Sequence, residues 1–252
     1  MPEPNPFVYQ RTYEADIKNA TIPSILEEQY GQCGEDLIIF SILRALQTQG
    51  YIGSWADYTY VEIGANHAFA GNNTYLLHKY TGMTGILVEA NPELLPDLQK
   101  ARPHDQIIHA AITNEYDEEI ELFISHHHEL SSLDKRFVEN WHDGHIGIKN
   151  SIKIPALRPN ELFSNCISPD KQILFLSIDI EGKDLDVTKA INFTRWRPLI
   201  VQLEPSEHYA PDEGTRMAKF MQEQNYLLLC KTNVNLIFFD KNLLEKIFHR
   251  TH

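Results

Sequence analysis

The sequence predicts an α/β fold with a doubly wound, mostly parallel sheet of about seven strands. Short runs of apolar residues recur along the chain, and most are separated by stretches long enough for a helix. Strands buried on both faces of a parallel sheet have this nearly continuous apolar character. The alternation of the two kinds of segment predicts βαβ units with right-handed crossovers. We expect residues 1–252 to form a single domain.

The first 50 residues are predicted to form a mainly helical N-terminal cap, because apolar residues recur at helical spacing up to Gly50. The expected strands are 58–64, 85–91, 106–113, 173–182, 199–205, 226–232 and 234–240. The expected helices between them are 72–81, 92–101, 183–194 and 213–224. Very few residues, around Asn233, separate the last two strands. These strands should therefore form an antiparallel hairpin, with the last strand of the sheet antiparallel.

The segment 114–172 interrupts this alternation. Further strands are predicted at 118–125 and 150–159, around a polar stretch rich in histidine. Ligands of open α/β sheets bind beyond the carboxyl ends of the strands, so residues 125–150 are predicted to form a substrate-side insertion. The three adjacent histidines, 126–128, are not expected to bind zinc, because neighbouring side chains of a strand or helix point in different directions.

The composition favours a small-molecule partner. With 35 acidic and 22 basic residues, the net charge is -13 and no cluster of Lys and Arg occurs. We therefore expect neither nucleic acid nor an anionic membrane as a partner, since both require a basic surface. The first residues lack the basic region and apolar core of a signal peptide, and no apolar run is long enough for a membrane span. We expect a cytoplasmic protein whose three cysteines are free thiols.

The stretch YVEIGANHAFAGNNTY, residues 60–75, begins like a nucleotide-binding glycine turn and then departs from it. After Gly64, the positions of the second and third glycines hold Asn66 and Phe69. Those glycines allow backbone N–H groups to approach a pyrophosphate, and an anionic side chain there would repel it. Glu62, just before the turn, instead suits the cationic end of a ligand. S-adenosylmethionine carries an amino group and a sulfonium but no phosphate, so this cofactor is predicted.

Glu89 ends the next predicted strand, in GILVEAN. A carboxylate at this place can accept hydrogen bonds from both ribose hydroxyls of a nucleoside. This acid alone does not distinguish NAD from S-adenosylmethionine, and a solvated glutamate at a strand end is the structural alternative.

The motifs YVEIGANHAFAGNNTYLL, GMTGILVEANPELLPDLQKARP, IIHAAIT and FLSIDIEGKDLDVTKAI follow one another in the chain. With QYGQCGEDLII upstream, they resemble the FkbM-type family of S-adenosylmethionine-dependent methyltransferases over about residues 29–205. The resemblance implies a class I methyltransferase (Rossmann-like) fold and methyl transfer, usually to an oxygen of a sugar, polyketide or similar small molecule. It also implies that Gln32 and Glu35 contact the cofactor. Ala68 and Asn72 depart from the family, where glycine and serine are usual.

Further cofactor contacts are predicted around the turn and the next two strand ends. Gly64 and Asn66 should face the methionine part, and Glu62 should hold its amino group. Asn73 and Thr74 could bind its carboxylate, although an asparagine here could simply cap the next helix. Ala110 and Ala111 should leave a slot for adenine, although small residues in a buried strand usually serve packing, and Ala90 is also expected to contact the cofactor.

The candidate catalytic residues follow two neighbouring strands. Asp179 and Glu181 lie two residues apart and should point to the same face at the carboxyl edge, where Asp179 would also contact the cofactor. Glu204 and His208 follow the next strand. Methyl transfer needs a positioned acceptor and a base, and a histidine is preferred as the base. These side chains would also suit Mg²⁺ or Ca²⁺, so a divalent metal stays open.

Two other functions remain possible at this stage. An NAD-dependent oxidoreductase could use the same sheet, although Glu62 and the missing glycines oppose it. A non-catalytic cofactor-binding module could also keep the fold. Neither the methyl acceptor nor the oligomeric state can be deduced from the sequence.

Overall fold

A computed structural model describes residues 28–141 and 146–250. Within these ranges the helices are α1 (Glu35–Thr48), α2 (Tyr75–Thr81), α3 (Leu95–Ala101), α4 (Lys135–Asn140), α5 (Pro159–Cys166), α6 (Asp184–Ala190), α7 (Glu213–Glu223) and α8 (Lys241–Arg250). The strands are β1 (Tyr58–Ile63), β2 (Ile86–Glu89), β3 (Gln106–His109), β4 (Ala111–Ile112), β5 (Glu119–Ser125), β6 (Ile148–Leu157), β7 (Gln172–Ile178), β8 (Ile200–Leu203), β9 (Tyr226–Lys231) and β10 (Leu236–Asp240).

Seven of these strands form one sheet in the order β3-β2-β1-β7-β8-β10-β9. The neighbours from β3 to β8 are parallel, whereas β10 is antiparallel to both β8 and β9. The predicted Rossmann-like sheet with an antiparallel last strand is therefore confirmed. The strand order reverses direction between β1 and β7, and in such sheets a crevice forms there, beyond the carboxyl ends of the strands.

Helices cover both faces of the sheet, which explains why its strands are apolar on both sides. One core contains Val61 and Ile63 of β1 together with side chains of α5, α6 and α7. The other contains Tyr60 of the same strand with side chains of α1, α2 and α3. Burial of one such side chain, for example the fully buried Leu43 of α1, contributes about 1.5–3 kcal/mol.

The structure differs from the predicted strands in two places. The run 106–113 is divided, because β3 ends at His109 and β4 leaves the main sheet to pair with β6. The run 173–182 ends as a strand at Ile178, because the chain then turns through Glu181 and Gly182, whose φ angles are 55° and 93°.

A second sheet has the order β4-β6-β5, in which β5 and β6 form the two extra strands predicted in the interrupting segment. In the predicted N-terminal cap, α1 begins only at Glu35, and residues 1–27 lie outside the described part of the chain. None of the described helices has the length and apolar character required to cross a membrane.

Candidate active site

A cavity of about 320 Å³ lies at the carboxyl ends of β1, β2, β7 and β8. Its floor includes Gly64 after β1, Glu89 at the end of β2, Asp179 after β7 and Glu204 after β8. Residues 128–133 and Trp141, from the predicted substrate-side insertion, form part of its wall. The cavity thus occupies the crevice where the strand order reverses.

The glycine turn is shaped by a close approach of two backbone segments. Gly64 has a φ of 85°, and a Cβ added there would lie 1.7 Å from the carbonyl oxygen of Asp179. The N–H groups of Gly64 and Ala65 both donate to the carbonyl of Val88, each at 3.0 Å. Glycine is therefore required so that the loop after β1 can lie against the end of β7.

Glu89 is a buried carboxylate at the cavity surface. The backbone N–H groups of Asn66 and Asn91 donate to its two oxygens, each at 2.7 Å. Burial raises the pKa of Glu89, and these two N–H donors oppose that rise. An ionised carboxylate has about four acceptor positions, so Glu89 keeps acceptor capacity for a ligand.

Asn91 is a site residue that the sequence reasoning missed. It is 1% exposed, and it lines the cavity two residues after Glu89. Its side-chain oxygen accepts from the N–H of Glu93 at 3.0 Å, but its Nδ2 has no partner among the described residues. A buried donor without an acceptor costs about 1–3 kcal/mol. In the sequence, the signal that could have identified Asn91 is its position two residues after Glu89, the predicted ribose-binding acid.

Beyond Glu89 the cavity is narrow and apolar. Ala90, Ala110 and Ala111 line it, together with Ile112, Leu122 and Leu130. The two alanines that follow β3 are buried, and their small side chains leave space between the strand ends and the wall of the cavity. The predicted adenine slot therefore coincides with the apolar end of the cavity.

Glu62 does not reach the cavity, contrary to the role predicted for it. Its carboxylate accepts from Asn72 Nδ2 at 2.9 Å, from the N–H of Asn73 at 3.0 Å and from the hydroxyl of Thr74 at 2.6 Å. Arg102 donates to Asn72 Oδ1 and to Thr74 Oγ1. Burial raises the pKa of Glu62 to about 7, although the Arg102 charge and these donors oppose it.

Asn73 and Thr74 are also absent from the cavity lining. The side chain of Glu62 lies on the opposite face of β1 from Ile63 and points towards the start of α2. Its hydrogen bonds therefore fix the loop that carries Asn66, and Asn72 participates in the same network.

The N-terminal segment contributes one predicted residue to the cavity. Gln32 lines it, but Glu35 does not. Glu35 accepts from the N–H of Cys33 at 2.7 Å, the hydroxyl of Thr232 at 2.6 Å and Asn235 Nδ2 at 3.3 Å. Glu35 thus joins the start of α1 to the turn between β9 and β10.

The structure brings together the three carboxyl groups predicted at the ends of β7 and β8. Asp179, Glu181 and Glu204 all line the cavity, and the carboxyl groups of Asp179 and Glu204 are hydrogen-bonded to each other. Burial, followed by the charge of Asp179, raises the pKa values of Glu204 and Glu181 well above their usual range. A hydrogen bond between two carboxyl groups requires a proton on one of them, so the pair shares one proton.

Asp184 extends this acidic group below the cavity. It is buried, and the N–H of Ile180 donates to one of its oxygens at 3.3 Å. Burial and the neighbouring charges of Asp179 and Glu213 raise its pKa well above the usual range. No group of three or more His, Cys, Asp or Glu side chains in the described part of the chain is arranged to hold a metal ion.

His208, the predicted base, lies outside the cavity. It is exposed, and its ring packs against Trp141 and Phe137, at centroid distances of 4.0 Å and 5.4 Å. Trp141, unlike His208, lines the cavity. The direction of the loop after β8, which carries His208, could not be deduced from the sequence.

The insertion supplies a histidine that the sequence reasoning did not select. His128 lines the cavity, and its Nδ1 is 2.9 Å from Asn66 Oδ1. Ser132 also lines it and donates to the carbonyl of Glu181 at 2.7 Å. The wall is therefore bonded both to the glycine turn and to the acidic end of β7.

Comparison with known proteins bears on the same part of the chain. A family model described as "Methyltransferase FkbM domain" matches residues 62–228. Searches of curated proteins and of solved structures found no match. The matched range contains the glycine turn, Glu89 and the carboxyl groups after β7 and β8.

Proposed function

Because the chain belongs to the FkbM methyltransferase family, we propose that it transfers a methyl group from S-adenosylmethionine to a hydroxyl oxygen of a sugar or another small molecule. Family membership favours methyl transfer over NAD-dependent oxidation on a similar sheet. The observation that carries the cofactor assignment is the buried Asn91 amide beside Glu89, whose Nδ2 donor has no acceptor among the residues that the structure describes.

The residues at this end of the cavity fit an adenosine. Glu89 has acceptor positions for the two ribose hydroxyls, and Asn91 Nδ2 offers a donor to a ring nitrogen or sugar oxygen. The alanine-lined slot suits a flat ring because alanine side chains are small and the neighbouring lining residues, such as Leu122 and Leu130, are apolar. A nucleoside would supply donors for the remaining acceptor capacity of Glu89 and an acceptor for Asn91 Nδ2, which removes the cost of leaving a buried polar group unbonded.

The opposite end of the cavity fits a cation. Its acidic lining residues include Asp179, Glu181 and Glu204, and none of the described lining residues is Lys or Arg. S-adenosylmethionine supplies an electrophilic methyl group on a positively charged sulfur, and carboxylates stabilise a nearby positive charge. Gln32 and Asn66 are placed to hold its amino-acid part.

The same lining residues also support a proposal for the chemical class of the methyl acceptor. An anionic acceptor, such as a sugar phosphate, would meet carboxyl groups without a compensating cation, so we propose a neutral one. Trp141 offers an aromatic face to the apolar side of such a molecule. The cavity-lining carboxyl groups, in place of His208, hold the acceptor hydroxyl and accept its proton.

Cofactor binding is tested by thermal unfolding with S-adenosylmethionine, S-adenosylhomocysteine and NAD. The first two should raise Tm, because a ligand present at about 100 Kd stabilises the native state by about 2.7 kcal/mol. Asn91→Ala should weaken S-adenosylhomocysteine binding by roughly three- to tenfold, the worth of one hydrogen bond. Asn150→Ala, an exposed position on β6, is the control and should bind normally. Stabilisation by NAD alone would contradict the proposal.

Turnover is measured with a panel of neutral sugars, sugar phosphates and other hydroxyl compounds, by the release of S-adenosylhomocysteine. Methylation of a neutral member supports the proposed acceptor class. Exclusive methylation of phosphorylated members would refute it. Binding of S-adenosylhomocysteine without turnover on any hydroxyl compound would instead favour the non-catalytic module.

A further inference from the structure

Two carboxyl groups on neighbouring strands share a hydrogen bond at the surface of the cavity. Asp179 directly follows β7, and Glu204 directly follows β8, its parallel neighbour. Their side chains are bonded to each other, and both line the cavity. Two adjacent carboxyl groups can share a hydrogen bond only if one of them carries a proton, so one proton holds the pair together.

The surroundings of this pair are acidic. Of the described residues that line the cavity, none is Lys or Arg. The titratable groups that lie around the pair in the cavity, on the loop after β7 and at the starts of α1 and α6 are Glu35, Glu89, Glu129, Glu181, Asp184 and His128. No Lys or Arg of the described cavity lining therefore neutralises the pair, and the shared proton does so.

We infer that this proton substitutes for the positive charge of the sulfonium: the Asp179–Glu204 pair releases it to solvent when S-adenosylmethionine binds and regains a proton from the acceptor hydroxyl during transfer. The inference rests on the proposed function and assigns the base of the reaction to this pair. A second positive charge in the cavity lowers the affinity of the pair for its proton, because like charges repel in a medium of low dielectric constant.

The charge in the cavity then balances throughout the reaction. The acceptor O–H proton passes to the carboxylate pair, the acceptor oxygen bonds to the methyl carbon, and the electron pair of the broken S–C bond stays on sulfur. Sulfur loses its positive charge as the pair gains one. The product state, S-adenosylhomocysteine with a protonated pair, therefore has the charge of the cofactor-free protein, and the two ligands prefer different protonation states of the same site.

The test is calorimetric titration of both ligands near pH 7 in two buffers of different ionisation enthalpy, which gives the protons released per ligand bound. Wild-type protein should release close to one proton more with S-adenosylmethionine than with S-adenosylhomocysteine. Glu204→Gln should bind S-adenosylhomocysteine but lose this difference, because the amide can still donate to Asp179 and has no proton to release. Glu207→Gln, an exposed residue three positions further on, should behave like wild type.

A second measurement needs only wild-type protein. Between about pH 5.5 and 7.5 the α-amino groups of both ligands stay mostly protonated. The ratio of the affinity for S-adenosylmethionine to that for S-adenosylhomocysteine should rise with pH, by up to tenfold per pH unit. Equal proton release by the two ligands, or a ratio that does not change with pH, would overturn the inference while leaving the proposed function intact. If S-adenosylmethionine did not bind at all, both would be refuted.

Discussion

Replacement of Gly64 by alanine would destabilise the protein in two ways, through an unfavourable left-handed backbone and through a steric clash, and a matched control separates the two energies. At this position the φ of 85° is unfavourable for alanine, and its Cβ would lie 1.7 Å from the carbonyl oxygen of Asp179. Reaching normal contact, near 3.5 Å, requires the loop and the end of β7 to separate by roughly 1.8 Å. Gly82 is the matched control, because its φ is 70°, an added Cβ has no neighbour within 4 Å, and it does not line the cavity.

Gly82→Ala should therefore report only the cost of the left-handed backbone, about 1–2 kcal/mol. Gly64→Ala should cost at least about 2 kcal/mol more, in the range of overpacked cores. The free energies of unfolding are obtained from urea titrations of both variants. S-adenosylhomocysteine binding, measured on whatever fraction remains folded, should be lost only in Gly64→Ala. Equal destabilisation by the two substitutions would show that the loop does not lie against β7.

Two further predictions concern charged groups. Burial raises the pKa of Glu62 to about 7, so the folded state keeps a proton that the unfolded state loses above about pH 4.5. The free energy of unfolding should therefore fall by roughly 3 kcal/mol as the pH rises from 4.5 to 7. In urea titrations at several pH values, Glu62→Gln should remove this part of the decline, and identical pH profiles would contradict the assigned burial. Because His208 lies outside the cavity, His208→Ala should lower kcat less than tenfold, whereas Asp179→Asn should lower it by about a hundredfold or more. The reverse order in single-turnover assays would restore His208 as the base.

The strands of the main sheet could be predicted because the pattern that identifies each strand lies within a short stretch of sequence. Each strand is a short apolar run, and burial on both faces requires that pattern. The antiparallel last strand followed from the few residues around Asn233. Glu89, Asp179 and Glu204 could be selected because acids at the carboxyl ends of parallel strands meet at one edge of the sheet.

The remaining site residues depend on contacts that the sequence does not encode locally. The alternation of side chains places Glu62 on one face of β1, but it does not show that Asn72 and Thr74 lie there to bond it. The ring of His208 packs on Trp141, which is distant in the chain, so the local sequence does not reveal this contact. Asn91 could be found only once its amide was seen to be buried without an acceptor.

The bonds of Glu35 have a consequence for how the chain folds. They join α1 to the turn between β9 and β10 across sequence separations of 197 and 200 residues. Contacts between such distant segments form late, since closing the long loop between them costs entropy before any bond forms. During synthesis the polypeptide emerges from its amino end, so the Glu35 carboxylate of α1 can form these bonds only after almost the whole chain has been synthesised. We therefore expect slow folding, with a vulnerable period on the ribosome that ends when the final hairpin docks.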